Sequence, residues 1–342
     1  MPAWKGYEMQ HRATPNIRRL GIALASLLLI AACTDSQQAD PEDPGNSGEG
    51  SASAVEVGPL GYGAVITRTS DGVPHIRARD LAGVSFGQGW ASAEDHPCEL
   101  VDQIIEIHSM RSATFGAGED GENLENDFGW AVLGIPELAE AGWATLSDEE
   151  TDIIEGFAAG WNASFEEQGT DGIQDWCTGA DWMRQITPLE LYAYGRSVAL
   201  LASGARLVDF IAAAQPPEAG YGESDDQPAD ESALAESKDA GVASNGWAVG
   251  SELTENGTGV VVGNPHFPWI GELRFSEVHL STEDGLNVYG AQLLGLPTVG
   301  IGFTEGVAWT HTVSAGRRFT AYEMELAPGD PTSYVIDGEV VP

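Results

Sequence analysis

Basic residues are scarce in this chain of 342 residues: 15 lysines and arginines face 53 aspartates and glutamates, a formal net charge of -38. A surface so short of positive charge cannot neutralise a phosphate backbone, which sets nucleic-acid binding aside. The acidity keeps a protein soluble in salt and identifies no substrate. Long apolar runs are absent too. The longest, "LGIALASLLLIAA", falls short of the ~18 to 20 residues that span a bilayer as a helix. Cysteine is rare, with three in all, and no His, Cys or Asp cluster has metal-ligand spacing. Neither metal nor cofactor is therefore expected, and no internal repeat is apparent. With 42% hydrophobic residues the chain still has ample material for a sizeable core.

What is there is strongly ordered along the chain. Lys5, Arg12, Arg18 and Arg19 precede the apolar run, which ends in "LIAAC" at Cys33. Small residues just before a cysteine resemble the lipobox of lipoproteins, so residues 1–33 are expected to form a signal peptide with Cys33 the lipidated N-terminus. Thr34, rather than Asp, points the anchor to the outer membrane of an exported, periplasmic protein; a plain secretory signal is the alternative. Residues 34–58 are acidic and rich in Pro, Gly and Ser, the composition of a disordered tether. An oxidising compartment permits a disulfide between Cys98 and Cys177, and two buried thiols also satisfy the sequence.

Residues 59–214 read as mainly helical. A hairpin comes first, turning at Ser70-Asp71-Gly72, and helices then follow an Asp80 cap, Pro97, a Ser147/Glu150 capping box, and Thr187-Pro188. The last helix is expected to run on to the residues before Pro216. Residues 215–243, "QPPEAGYGESDDQPADESALAESKDAGVA", read as a spacer. From Ser244 the pattern turns to short alternating strands through residue 342. The closing "VIDGEVVP" stops partway through a strand and turn, so this sheet is expected to be incomplete.

Three separated blocks carry a family resemblance: "DGVPHIRARDLAGVSFGQGWASAEDH", then "SNGWAVG", then "NPHFPW" with "GLPTVGIGFTEGVAWTHTVS". Together they resemble the first part of a penicillin acylase family precursor, most like its acyl-homoserine lactone and aculeacin acylase branch. The resemblance implies an α+β fold, the N-terminal nucleophile hydrolase αββα sandwich of two stacked antiparallel sheets flanked by helices. It also implies self-cleavage of the Ala243-Ser244 bond, giving α and β chains from one precursor. Ser244 would then carry a nucleophilic hydroxyl and a basic α-amino group on one residue, the amine with a pKa of roughly 7.7 to 8.0.

By the same resemblance His266 holds the serine in its reactive geometry, and the backbone N–H of Val313 serves in the oxyanion hole. Phe267, Leu293, Leu296 and Trp309 correspond to acyl-pocket positions. A second oxyanion donor, an asparagine, and a later arginine lie downstream in the family, so this chain alone is expected to be inactive. Other family members hold calcium, but Arg317 and Arg318 stand at that place here and Glu190 alone makes a poor oxygen cage. His75 and His311 read as structural. The expected activity is hydrolysis of a small-molecule N-acyl amide through an acyl-serine. The alternatives are a β-lactam acylase and a non-catalytic ligand-binding surface lipoprotein, with the membrane reached only through a lipid anchor.

Overall fold

The computed structural model describes residues 52–56, 61–201, 203–212, 243–313, 322 and 324–341. Cys33, the signal segment, most of the tether, the spacer before Ala243, and Arg317 and Arg318 lie outside them. One strand, β1 (Ala52–Glu56), falls within the stretch expected to be a tether and pairs antiparallel with β2 (Gly63–Arg68). That corrects the tether's extent: the backbone groups of "ASAVE" join a sheet edge.

The hairpin from β2 to β3 (Pro74–Ala78) forms where Asp71-Gly72 supplies the turn, with Gly72 at φ +85°. Helix α1 (Leu81–Asp95) starts at Asp80, whose carboxylate accepts the Gly83 N–H at 2.9 Å. Helix α2 (Pro97–Ile107) begins on its proline. The helix breaks at Ser109, φ +56°, and the chain restarts as α3 (Arg111–Phe115). The cause is Asp127, a buried carboxylate that accepts the N–H groups of Arg111 and Ser112, each at 2.8 Å, and so caps the new helix from outside.

Helices α4 (Glu122–Leu133) and α5 (Ile135–Trp143) follow, then α6 (Asp148–Gly172) behind its Ser147/Glu150 capping box. Helix α7 (Pro188–Ala199) carries the Thr187/Glu190 box. It is shorter than expected: the chain turns at Leu200 to Ser203, passes a 3-10 turn, and resumes as the short α8 (Val208–Ala212).

After the spacer come β4 (Ala243–Val249), β5 (Val260–His266), β6 (Phe275–Thr282), β7 (Asn287–Leu293), β8 (Ile301–Phe303) and β9 (Ala308–Trp309). The last three strands are β10 (Glu325–Ala327), β11 (Asp330–Ile336) and β12 (Glu339–Val341). Strands β1, β2, β3, β6, β7, β8 and β9 make one sheet in that order; β4 and β5 form a separate ribbon and β10 to β12 a third sheet. The architecture is α+β. The large sheet differs from the antiparallel expectation at one junction, where β3 and β6 run parallel. The helical region lies between them in sequence, and such a crossover leaves either direction open, unlike a tight hairpin.

Two apolar cores hold these parts. One joins the large sheet to α1 through Ile66, Ile76, Phe86, Val278, Leu280 and Val288. The other lies among the helices around Val101, Ile104, Phe157, Trp161, Leu191 and Tyr194. Between α1 and α6 the backbones nearly touch: a Cβ on Gly89 would meet the Phe157 carbonyl oxygen at 2.0 Å, and one on Gly160 the Phe86 carbonyl oxygen at 1.9 Å. Cys98 and Cys177 are joined as a disulfide, Cα atoms 5.6 Å apart across 79 residues of sequence. Closing a loop of that length is worth about 4 kcal/mol in the chain-entropy account.

Candidate active site

Ser244 is the second residue of β4, and the pairing of β4 with β5 sets what surrounds it. Ala243 lies opposite His266, Ser244 opposite Pro265, and Gly246 opposite Gly263. Side chains alternate between the faces of a strand, and directly paired residues share a face. Ser244, Gly246, Gly263 and Pro265 thus occupy one face. Ala243, His266, Trp247 and Val262 occupy the other. His266 therefore stands beside the residue that precedes the candidate nucleophile, not beside its hydroxyl, and is itself exposed. The Ser244 hydroxyl donates to the Ala243 carbonyl oxygen at 2.5 Å.

The serine's face is the one that meets the segment after β9. A Cβ on Gly263 would lie 2.6 Å from Thr310 Oγ1, and one on Gly246 would lie 3.0 Å from Thr310 Cγ2 and 3.3 Å from Thr312 Cγ2. Two facing glycines leave a slot in the ribbon that the threonines fill, and no larger residue permits so close an approach. Val313 follows directly and is 40% exposed. The structure thus brings Ser244 and the Val313 segment to one side of the ribbon and places His266 on the other.

The expected acyl-pocket residues divide. Phe267 packs on Phe275, ring centroids 5.1 Å apart, and Phe275 pairs with Leu293 across β6 and β7. Leu296 packs instead against the helical core. Trp309 packs on the sheet–helix core and donates its indole N–H to the Gly300 carbonyl at 2.9 Å. Leu296 and Trp309 thus pack against different cores, one among the helices and one between the sheet and α1. A cleft of about 580 Å³ lies elsewhere, lined by Arg68, Asp71, Glu94, Asp95, His96 and Glu277 among others. Its charged walls do not suit an acyl chain.

Glu190 is fully engaged: Arg184 donates to Oε1 at 2.7 Å and the Thr187 N–H to Oε2 at 2.8 Å. His75 has a partner that sequence reasoning missed. His279 sits opposite it across the parallel junction, with Nδ1 to Nδ1 at 2.7 Å, and His279 Nε2 meets Asn287 Oδ1 at 2.7 Å. Donation from Nε2 to the amide oxygen makes His279 Nδ1 the acceptor and His75 Nδ1–H the donor. Burial, then the neighbouring imidazole, lowers the His75 pKa below its ordinary value. His311, read as a hydrogen-bonded structural residue, is exposed and makes no hydrogen bond among the described residues.

A second polar cluster also went unread. Arg274 donates through Nη2 to Glu99 Oε1 at 2.7 Å and meets His96 Nδ1 at 3.0 Å. Burial, then the Arg274 charge, pushes the His96 pKa down to about 4. Burial raises the Glu99 carboxyl against the pull of Arg274. Its only sequence trace is an arginine heading a strand, which says nothing of a partner so far back in the chain.

Comparison with known proteins agrees with the blocks that carry the resemblance. The penicillin amidase family model matches residues 63–342. The chain is 38% identical over 288 residues to an acyl-homoserine lactone acylase PvdQ of Pseudomonas fluorescens (strain Pf0-1), covering 82% of this chain and 37% of that protein. It is 37% identical over 289 residues to the aculeacin-A acylase of Actinoplanes utahensis, covering 81% of this chain and 37% of that protein. The chain thus spans 37% of the length of these curated relatives. A solved thermostable penicillin G acylase from Alcaligenes faecalis aligns at TM-score 0.35 and 19% identity, over 52% of this chain and all of that one, a likeness on which no argument rests. A family match over residues 63–342 and relatives at this identity lead to one conclusion: the chain belongs to the penicillin amidase family.

Proposed function

We propose that this chain is the first part of a self-cleaving serine amidohydrolase that removes the acyl group from an N-acyl amide. The observation that carries the reading is the Ser244 hydroxyl 2.5 Å from the Ala243 carbonyl oxygen, on the ribbon face that meets the Val313 segment. In the first reaction Ser244 Oγ adds to the Ala243 carbonyl carbon. The peptide C–N bond breaks, the Ser244 nitrogen takes a proton, and water hydrolyses the resulting ester. Ser244 becomes a chain terminus.

In the second reaction the free amine, with a pKa near roughly 7.7 to 8.0, accepts the hydroxyl proton as Oγ attacks the substrate amide. The Val313 N–H receives the oxyanion, the amine product leaves, and water releases the acid. In this reading His266, paired with Ala243 across the ribbon, holds the Ala243-Ser244 segment in its reactive geometry. The finer architecture belongs to the same proposal: β4 and β5 would seed the second sheet of an αββα sandwich. So does the address, a periplasmic protein anchored through lipidated Cys33.

Support for the substrate class comes from the relatives, named as acylases of acyl-homoserine lactones and of aculeacin A. The second oxyanion donor would lie beyond Pro342, so the assay calls for protein of the relatives' length. Such a protein should release free acid and homoserine lactone from long-chain N-acyl-homoserine lactones faster than acid from phenylacetyl amides. Ser244→Ala should abolish both activities. Undiminished turnover by Ser244→Ala would sink the mechanism, and preference for the phenylacetyl amides would move the substrate to the β-lactam class.

A further inference from the structure

The ribbon of β4 and β5 ends at His266, beside the Ala243-Ser244 bond, and the chain must then reach β6 in the large sheet. How that connection is fixed decides where the bond sits. Phe267 leaves β5 and packs at a tilt of 55° on Phe275, the first residue of β6. Arg274, immediately before Phe275, reaches away from the sheet to the first turn of α2. There its Nη2 donates to Glu99 Oε1 at 2.7 Å and meets His96 Nδ1 at 3.0 Å. The Glu99 side chain is only 9% exposed and that of Arg274 25%.

The anchor at the far end is stiff. Glu99 directly follows Cys98, whose disulfide to Cys177 ties this turn to the loop after α6. The cleft between the charges is closely defined as well. Arg274 Nε and Glu99 Oε2 are buried without hydrogen-bond partners among the described residues, so the charges meet through a single N–H to O bond, not a two-pronged fork, beside the contact to His96. Taking two charges out of water for one contact is a poor route to stability, since an apolar pair of similar size often does as well. What such a contact does supply is a fixed distance between α2 and the residue that heads β6.

We propose that Arg274 and Glu99 are positioning residues for self-cleavage, setting the β5 end, and with it the Ala243-Ser244 bond, against the Thr310–Val313 segment. The inference rests on the self-processing reading above. It adds a consequence: Glu99 precedes the cut and Arg274 follows it, so the same contact holds the two resulting chains in register afterwards.

The test uses protein of the relatives' length. In the uncleavable Ser244→Ala background, Arg274→Met, which removes the hydrogen bond, and Glu99→Gln, which removes its charge, should each speed amide hydrogen exchange in residues 262–275 about tenfold, the scale of losing the charge assistance or more. Exchange in β10 to β12 should not change. With Ser244 restored, both variants should cleave themselves about tenfold more slowly, while Arg274→Lys, which keeps the charge and the reach, should recover most of the rate. Arg274→Met keeps the apolar stem without the charge, so a space-filling role predicts that Met does as well as Lys. That result would overturn the proposal, as would unchanged exchange, or faster exchange with an unchanged cleavage rate. A parent that never cleaves would instead overturn the self-processing reading, and the uncleavable background keeps the two failures apart. Should Arg274→Met fail to fold, Glu99→Gln, which keeps shape and an acceptor oxygen, decides alone.

Discussion

The contact between α1 and α6 and the contact between the β4–β5 ribbon and Thr310 both depend on glycine, and they differ in everything else. Gly89 and Gly160 let two helix backbones meet, each glycine facing a carbonyl that its own helix holds in place. Around them Phe157 and Trp161 are fully buried. Gly246 and Gly263 admit only a threonine side chain, and beside them Trp247 is 57% and Val262 50% exposed. The helical contact has no give, whereas the ribbon is held at a few points and can shift. Stability resides in the first, and the proposed self-cleavage in the second.

Substitutions can separate the two. Gly160→Ala would gain about 1 kcal/mol in helix propensity, yet its Cβ would lie 1.9 Å from the Phe86 carbonyl oxygen. The clash wins because neither backbone can yield, and we expect a loss of about 3 kcal/mol or more in denaturant unfolding. Gly263→Ala meets Thr310 Oγ1 at 2.6 Å and Thr310 Cβ at 2.9 Å; the hydroxyl can turn aside but the Cβ cannot, so the Thr310 segment must shift, at an expected cost of about 1 to 2 kcal/mol. Self-cleavage should nevertheless slow markedly, because moving Thr310 moves Val313. Equal stability losses in the two variants would erase the contrast.

The smallest effect concerns pH. The His96 pKa is lowered from 6.5 to about 4, by burial first and Arg274 second, so the folded state binds fewer protons there than the unfolded chain. Its contribution is present above pH 6.5 and is lost as pH falls toward about 4. Glu99, raised by burial, works in the opposite direction. The readout is therefore the difference between parent and His96→Gln melting temperatures, which should shift in favour of the variant as pH falls across that window. A difference independent of pH would remove His96 from the account.

Local chemistry made much of the fold legible. The Asp71-Gly72 turn, the Asp80 cap and the boxes at Ser147 and Thr187 each act within a few residues, and each appears where its sequence places it. Helix α4 escaped because its apolar residues Leu124 and Phe128 are 60% and 55% exposed and mark no core. The break before α3 escaped because its cap, Asp127, comes from a later helix. The family could be picked out through the blocks that flank Ser244. The face on which His266 stands, the threonine slot and the Arg274–Glu99 contact all depend on register or on partners far off in sequence, which no local pattern encodes.

The central claim is that Ala243-Ser244 is a bond the protein cuts itself, and intact-mass measurement of the purified protein at the relatives' length tests it most directly. The account predicts two chains, the second beginning with Ser244 and bearing a free α-amino group, and a single uncut chain from Ser244→Ala. A parent that stays in one piece while hydrolysing N-acyl amides at full rate would contradict it.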